Sequence, residues 1–259
     1  MAILSTVVAA DGNPTDTDLY RIGCRTLVHS WQAYARGVEG AAVLHRHGFS
    51  AAVFPTEPER SVYNNALLRR GLGPDERAEA LDAMEHVYAE AGVGRFAAWA
   101  HETDPGMCTD LEGRGYALDT TTRAMGMSLD DVRLPRPDAD LGPAEWPEYL
   151  AAAGLPADFL RAADHTALHV LVARADGAIV AAALAYDWDG DCGIYNVETL
   201  PVARRRGVGT RLTLAHLHHA RARGCRTASL QSTPMAERMY ASVGFRDLGR
   251  FLEYVPEDS

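Results

Sequence analysis

The sequence predicts an α/β (α+β) protein made of two tandem domains, each with a mixed, mostly antiparallel sheet flanked by helices. A length of 259 residues suits two domains of ordinary size. A proline-rich segment, Val132 to Pro143, lies near the midpoint, and proline stops helices on either side. One order of predicted elements occurs on both sides of it. We therefore predict a first domain over 1–131, a linker over 132–143 and a second domain over 144–259.

The repeated order is helix, glycine, strand, proline, helix, glycine-aromatic pair and strand. In the first half the strong helix covers 75–90 and the second helix opens at Pro105. In the second half the matching helix covers 210–223, and Thr233 and Pro234 suit the N-cap and first position of the next helix. A further helix is predicted at 16–34, and strands at 41–45, 49–54, 95–101, 166–174, 178–187, 192–200 and 225–231. The repeat indicates a tandem α/β fold, the alternative being coincidental similarity of two domains.

Composition excludes several classes of function. A net charge of −10 argues against nucleic acid as the main partner and is compatible with a cationic substrate. No apolar run is long enough for a membrane span, and no export signal is evident, so we expect a cytoplasmic protein with its four cysteines reduced. All 25 basic residues are arginines, which excludes a P-loop lysine. No Cys or His spacing suits a metal, and none is expected.

The most informative segment runs from Val197 to Thr210, where a predicted strand enters a loop with two glycines and the loop enters a helix. Successive N–H groups and the positive end of the helix dipole make such a segment a pyrophosphate cradle. A Rossmann fingerprint is excluded because the third glycine is missing. The remaining pattern is Arg-x-x-Gly-x-Gly, at Arg204, Gly207 and Gly209.

This pattern resembles the acetyl-CoA loop of the GNAT superfamily of N-acetyltransferases. Leu200-Pro201 precedes it at the family's spacing, Arg205-Arg206 fill its basic positions, and the segment Tyr240–Phe245 resembles the family's Tyr-x-x-x-Gly-Phe. The resemblance covers about residues 142–259 well and residues 1–130 only as a degenerate copy. It implies two GNAT-like domains, with acetyl-CoA as co-substrate of the second and no metal.

The resemblance also implies roles for individual residues. Tyr240 is the candidate general acid that protonates the departing thiolate, or else an aromatic packed under the pantetheine arm. Glu198 is the candidate general base, or else a residue that binds the substrate ammonium or faces solvent. Thr233 replaces an Asn found in many members, which puts its cofactor contact in doubt. The expected cofactor-binding residues are Val197, Thr199, Leu200, Arg204, Arg205, Arg206, Gly207, Val208, Gly209, Thr210 and Thr233.

The first half carries an altered copy of the loop at Arg69–Gly73. Leu68 stands where Arg204 stands, Pro74 cannot donate an N–H, and Leu111 occupies the position of Tyr240. We therefore expect that this half does not bind acetyl-CoA in the usual way. A plain turn before a helix explains Arg69–Gly73 equally well.

The predicted function is acetyl-CoA-dependent N-acetyl transfer to a primary amine, a small molecule such as an antibiotic or amino-acid derivative. The alternatives are a non-catalytic acyl-CoA-binding regulatory module and a protein N-terminal or side-chain acetyltransferase. The acidic balance mildly favours a cationic acceptor, and both a monomer and a homodimer fit the sequence. Two polar segments stay open: Asn64-Asn65 could line a shared cleft or form a loop, and Asp187–Gly190 could be a turn or a rim for a cationic substrate.

Overall fold

The structure is a computed structural model and describes residues 13–130, 132–154 and 167–257. Its helices are α1 Asp16–Ala35, α2 Pro74–Glu90, α3 Pro105–Gly113, α4 Trp146–Ala153, α5 Val208–Ala222 and α6 Glu237–Val243. Its strands are β1 Ala42–Arg46, β2 Phe49–Val53, β3 Asn65–Leu68, β4 Ala97–His101, β5 Tyr116–Ser128, β6 Leu141–Pro143, β7 Leu168–Ala175, β8 Ala178–Trp188, β9 Asp191–Thr199, β10 Thr227–Ser232 and β11 Arg246–Pro256. The predicted strand at 166–174 begins one residue outside the described part.

The described strands form a single sheet in the order β1-β2-β3-β4-β11-β5-β10-β9-β8-β7-β6. The pairs β3–β4 and β9–β10 are parallel, and the other neighbours are antiparallel. The predicted fold class, a mixed and mostly antiparallel sheet with flanking helices, is confirmed. The repeated order of elements is present in both halves.

The two halves exchange their last strands. β5 ends the first half but lies between β10 and β11, and β11 ends the second half but lies between β4 and β5. The series β1-β2-β3-β4-β11 and the series β7-β8-β9-β10-β5 therefore have the same arrangement in the sheet. The two series meet at the β11–β5 pair. The two predicted domains share one sheet, and their boundaries stay a prediction. The predicted linker is partly structured, since its last three residues form β6 and pair with β7.

The helices divide between the two faces of the sheet. Ala182 of β8 packs with Tyr149 of α4, and its neighbour Ala183 packs with Leu212 of α5 on the other face, as strand alternation requires. α1 lies on the α4 face and packs on strands of both halves. α2 and α3 join α5 and α6 on the opposite face.

Several local predictions differ from the structure. α5 begins at Val208, two residues earlier than predicted, so Gly209 lies inside the helix. Thr233 as N-cap of the next helix is wrong, because α6 begins at Glu237 with Ala236 before it, and the Ala236 N–H donates to the Thr233 carbonyl at 3.0 Å. β3 and α4 were not predicted, since short apolar runs do not distinguish strand from helix.

Candidate active site

The sheet opens between β9 and β10. Their parallel pairing ends at Ile194 and Leu230, although β9 continues to Thr199 and β10 to Ser232. Among the described strands, none pairs with the β9 backbone beyond Ile194 on its β10 side. Such an edge can accept an extended ligand as a further strand, as expected for a pantetheine arm.

A β-bulge in β9 accompanies this opening. Ala182 of β8 pairs with Glu198, and Leu184 pairs with Tyr195, so β9 carries one extra residue over that interval. Asn196 within it has a φ of 49°, a left-handed conformation that Asn tolerates better than most residues. A bulge bends its strand, which explains why β9 diverges from β10.

A cavity of about 600 Å³ lies on the α5/α6 face beside the opening, and we call it the loop cavity. It brings together every predicted site residue except Leu200, Arg206 and Thr233. The residues that line the loop cavity are Val197, Glu198, Thr199, Ala203, Arg204, Arg205, Gly207, Val208, Gly209, Thr210, Met235, Ala236, Met239 and Tyr240.

The start of α5 supplies N–H groups to the loop cavity that the helix itself does not bond. The first N–H of the helix ladder is that of Arg211, which donates to the Gly207 carbonyl at 3.0 Å. The N–H groups of Val208, Gly209 and Thr210 come before it and have no partner within the helix. The first turn of α5 carries no acidic side chain. This helix start can bind a phosphate or pyrophosphate.

The arginines of the loop differ in their contacts with the rest of the chain. The Arg204 Nε donates to the Thr199 carbonyl at 2.9 Å, and its Nη2 lies 3.3 Å from the Glu198 Oε1. Arg204 therefore fastens the loop to the end of β9. Arg205 and Arg206 are exposed, and no ion pair engages either of them in the described part of the chain. Both are available to an anionic ligand.

Tyr240 lies on α6 and is buried, with its ring packed edge-on against Phe245 at a centroid distance of 5.8 Å. Burial raises the pKa of Tyr240 to about 12. The phenol therefore keeps its proton at neutral pH and can act as a donor. The matching position in the first half, Leu111, is fully buried on α3 and has no donor to offer.

Glu198 differs from Tyr240 in its surroundings. Its side chain is 49% exposed and paired with Arg204 at the mouth of the loop cavity. Its role as general base stays a prediction. Sequence analysis missed Ala203, Met235, Ala236 and Met239 as lining residues. The sequence predicts a helix that begins at Pro234, whereas Met235 lies in the turn before α6 and is 84% exposed.

A second cavity, of about 450 Å³, lies on the α1 face, and we call it the central cavity. Residues 194–196 of β9 line it, and residues 197–199 of the same strand line the loop cavity. The two cavities therefore lie on opposite faces of the sheet, beside consecutive residues of β9. Residues from α1, β3, β4, β5, β9, β10 and β11 line the central cavity, so both halves contribute to it.

The structure describes both polar segments that the sequence leaves open, Asn64-Asn65 and Asp187–Gly190. Asn64 holds a turn, since its Oδ1 accepts from the Phe54 N–H at 2.7 Å, whereas Asn65 lines the central cavity. Asp187 lies near the end of β8, and Asp189 lies in the hairpin turn that follows. Arg223 binds Asp187 with an Nη2–Oδ1 distance of 2.9 Å, and Arg25 reaches Asp189 at 3.1 Å.

Within residues 13–130, 132–154 and 167–257, no group of three or more His, Cys, Asp or Glu side chains is placed to hold a metal. The same residues include no helix that is both long and apolar enough to span a bilayer.

Comparison with known proteins agrees with this geometry. Residues 135–245 match the sequence model of the acetyltransferase (GNAT) family. That match is a similarity of the second half to GNAT acetyltransferase domains, and it supports an acyltransferase activity. The match ends before β11 and does not include the first half. No curated protein sequence matches the chain.

Solved structures share the fold over nearly the whole chain. A GCN5-related N-acetyltransferase from Kribbella flavida is 19% identical, with 92% of this chain and 95% of that chain covered and a TM-score of 0.66. One from Sphaerobacter thermophilus is 15% identical, with 94% and 93% covered and a TM-score of 0.60. A tandem GNAT protein from the clavulanic acid biosynthesis pathway is 14% identical, with 94% and 96% covered and a TM-score of 0.54. These similarities extend the shared fold to the first half.

Proposed function

We propose that this protein is an acetyl-CoA-dependent N-acetyltransferase that acylates a primary amine in the cytoplasm, with its donor site in the second half. The observation that carries the proposal is the convergence of an anion-binding helix start, an open strand edge and a protonated tyrosine on the loop cavity. The donor supplies an electrophilic thioester carbonyl when it is bound.

The chain's own groups have separate tasks in this proposal. The N–H groups at the start of α5, with Arg205 and Arg206, bind the phosphates. The free backbone of β9 beyond Ile194 holds the pantetheine arm. Glu198 is the candidate to receive the proton that the ammonium must lose before its nitrogen attacks the carbonyl carbon. As the carbon–sulfur bond breaks, the Tyr240 Oη gives its proton to the sulfur, and it regains one from the attacking nitrogen, which loses its second proton as it becomes the amide, or from solvent.

The test is a thiol-release assay with purified protein, acetyl-CoA and a panel of amines. Turnover above hydrolysis with one class of amine supports the enzyme and gives its acceptor class. Tight acetyl-CoA binding without turnover on any small amine would favour the regulatory module or a protein acceptor. Absence of acetyl-CoA binding would refute the proposal.

A further inference from the structure

The central cavity has an acidic and aromatic lining. Glu253 and Asp119 are its carboxylates, and none of the described residues that line it is an arginine, lysine or histidine. Such walls suit a positive charge, because aromatic faces and carboxylates both attract cations. The aromatic side chains that line the cavity are Trp31, Tyr34, Phe54, Tyr63, Trp99 and Tyr195.

Glu253 is the less exposed of the two carboxylates. It lies on β11, the exchanged strand, opposite Trp99 of β4 and Thr120 of β5. The Thr122 Oγ1 donates to its Oε1 at 2.9 Å, and no ion pair engages it within the described chain. Asp187 and Asp189 differ in this respect, since arginines of the chain neutralise both.

A carboxylate that is shielded from water and lacks a cation is destabilised in its charged form. Burial, with a smaller contribution from Asp119, raises the pKa of Glu253 to about 7. The other titratable groups that face the cavity are Asp119 from β5, Tyr34 from α1, Tyr195 from β9 and Tyr63 from the segment before β3. A cationic ligand would therefore meet no opposing positive charge from the described lining.

The position of Glu253 separates it from the reacting centre. The opening that receives the thioester lies between β9 and β10, whereas β11 is separated from β10 by β5. Neighbouring strands lie about 4.8 Å apart, so β11 lies about 10 Å from the edge of the opening. A cation held by Glu253 is consequently a different atom from the nitrogen that attacks the carbonyl.

We propose that the acceptor carries two positive groups, one that docks against Glu253 in the central cavity and an amine that reaches the opening between β9 and β10. This inference rests on the proposed function. It makes Glu253 a specificity-determining residue, supplied by the strand that the second half exchanges into the first. From the strand spacing, the two nitrogens lie about 10 Å apart. The apolar chain between them lies along the aromatic walls.

The experiment compares two ligands of equal carbon-chain length, hexamethylenediamine and hexylamine, by calorimetric titration of the full chain without acyl-CoA. At about pH 8, where Glu253 is ionised, the wild type should bind the diamine at least tenfold more tightly. Glu253→Gln should reduce the ratio to about two, which is the statistical advantage of two equivalent ends. The matched control, Glu79→Gln, changes an exposed carboxylate on α2, on the opposite face, and should keep the wild-type ratio.

The pH dependence gives a second measurement. As pH falls from about 8 to about 6, Glu253 takes up a proton and loses its charge, so the preference for the diamine should fall in the wild type and stay flat in Glu253→Gln. Asp119→Asn, at an exposed position, should reduce the preference less. It provides a second test if Glu253→Gln does not fold.

Two outcomes overturn the inference: equal or undetectable binding of the two amines by the wild type, or a preference that Glu253→Gln leaves intact. Failure of the proposed function is seen separately, by titration of acetyl-CoA. If acetyl-CoA binds and amines are acylated without a diamine preference, only the present inference fails. If the preference holds and acetyl-CoA does not bind, the proposed function fails.

Discussion

The two glycine loops, Arg204–Gly209 before α5 and Arg69–Gly73 before α2, show how the same chain pattern gives opposite electrostatics. In both, the first glycine is left-handed, with a φ of 72° at Gly207 and 76° at Gly71. Gly207 leads directly into α5. Gly73, which precedes Pro74, is extended, so α2 begins two residues later relative to the glycine pair.

The first-half loop satisfies its own donors. The Gly71 N–H donates to the Asp104 Oδ2 at 3.0 Å, and the Gly73 N–H donates to the Glu76 Oε2 at 2.9 Å. Pro74 has no N–H, and Asp75 and Glu76 make the first turn of α2 acidic. An anion would meet carboxylates there and free N–H groups at α5. Fold similarity between the halves therefore does not carry the binding site from one to the other.

The largest expected effect follows from the exchange of strands. Residues 132–259 alone should not fold, because β10 and β11 would lose β5, which lies between them and buries Met125 and Met127. Circular dichroism and urea titration would show no cooperative unfolding, and co-expression with residues 1–131 should restore it. A fragment that unfolds cooperatively and binds acetyl-CoA would disprove the shared sheet.

The next largest effect is on turnover and concerns Tyr240, whose counterpart in the first half is Leu111. Tyr240→Phe should lower turnover roughly 10²- to 10⁴-fold because it removes the proton donor, with little change in acetyl-CoA affinity. Steady-state kinetics and calorimetry would measure the two quantities. Tyr116→Phe, at a buried tyrosine of the first half, is the matched control and should keep wild-type turnover. Unchanged turnover in Tyr240→Phe would favour the regulatory alternative.

A smaller effect is expected when the first turn of α5 is given an acidic residue like that of α2. Thr210 is the third residue of α5, as Glu76 is of α2. Thr210→Glu should weaken acetyl-CoA binding about tenfold or more, because a carboxylate would repel the phosphates and compete for the helix N–H groups. Thr210→Gln, equal in size and neutral, should lose much less. Equal losses of acetyl-CoA affinity in calorimetric titrations of the two variants would mean that the size of the side chain, and not its charge, weakens binding.

The smallest effect is on stability. Asp104→Ala removes the acceptor of the Gly71 N–H and of the Met107 N–H, which donates to Oδ1 at 3.2 Å. We expect a loss of about 1 kcal/mol in the free energy of unfolding. Urea titration would measure it, and acetyl-CoA affinity should not change. A parallel loss of affinity would mean that the first-half loop contributes to the donor site.

Sequence analysis predicted the parts of the candidate site that are local in the chain. The glycines and arginines of the loop and Tyr240 could be identified because loop and helix geometry place residues that are near in sequence. The bulge at Asn196, the exchange of β5 and β11 and the position of Glu253 could not. They depend on strand pairing between distant residues, such as Glu253 with Trp99, and a single sequence does not encode register in any local pattern.

The most direct test of the contrast between the two loops is the stoichiometry of acetyl-CoA binding to the full chain, measured by calorimetric titration. The difference between the two loops predicts that one acetyl-CoA molecule binds per chain. This binding should be lost or greatly weakened in Thr210→Glu and retained in Asp104→Ala. Two equivalent sites per chain, or undiminished binding in Thr210→Glu, would contradict the assignment of the donor site to the second half.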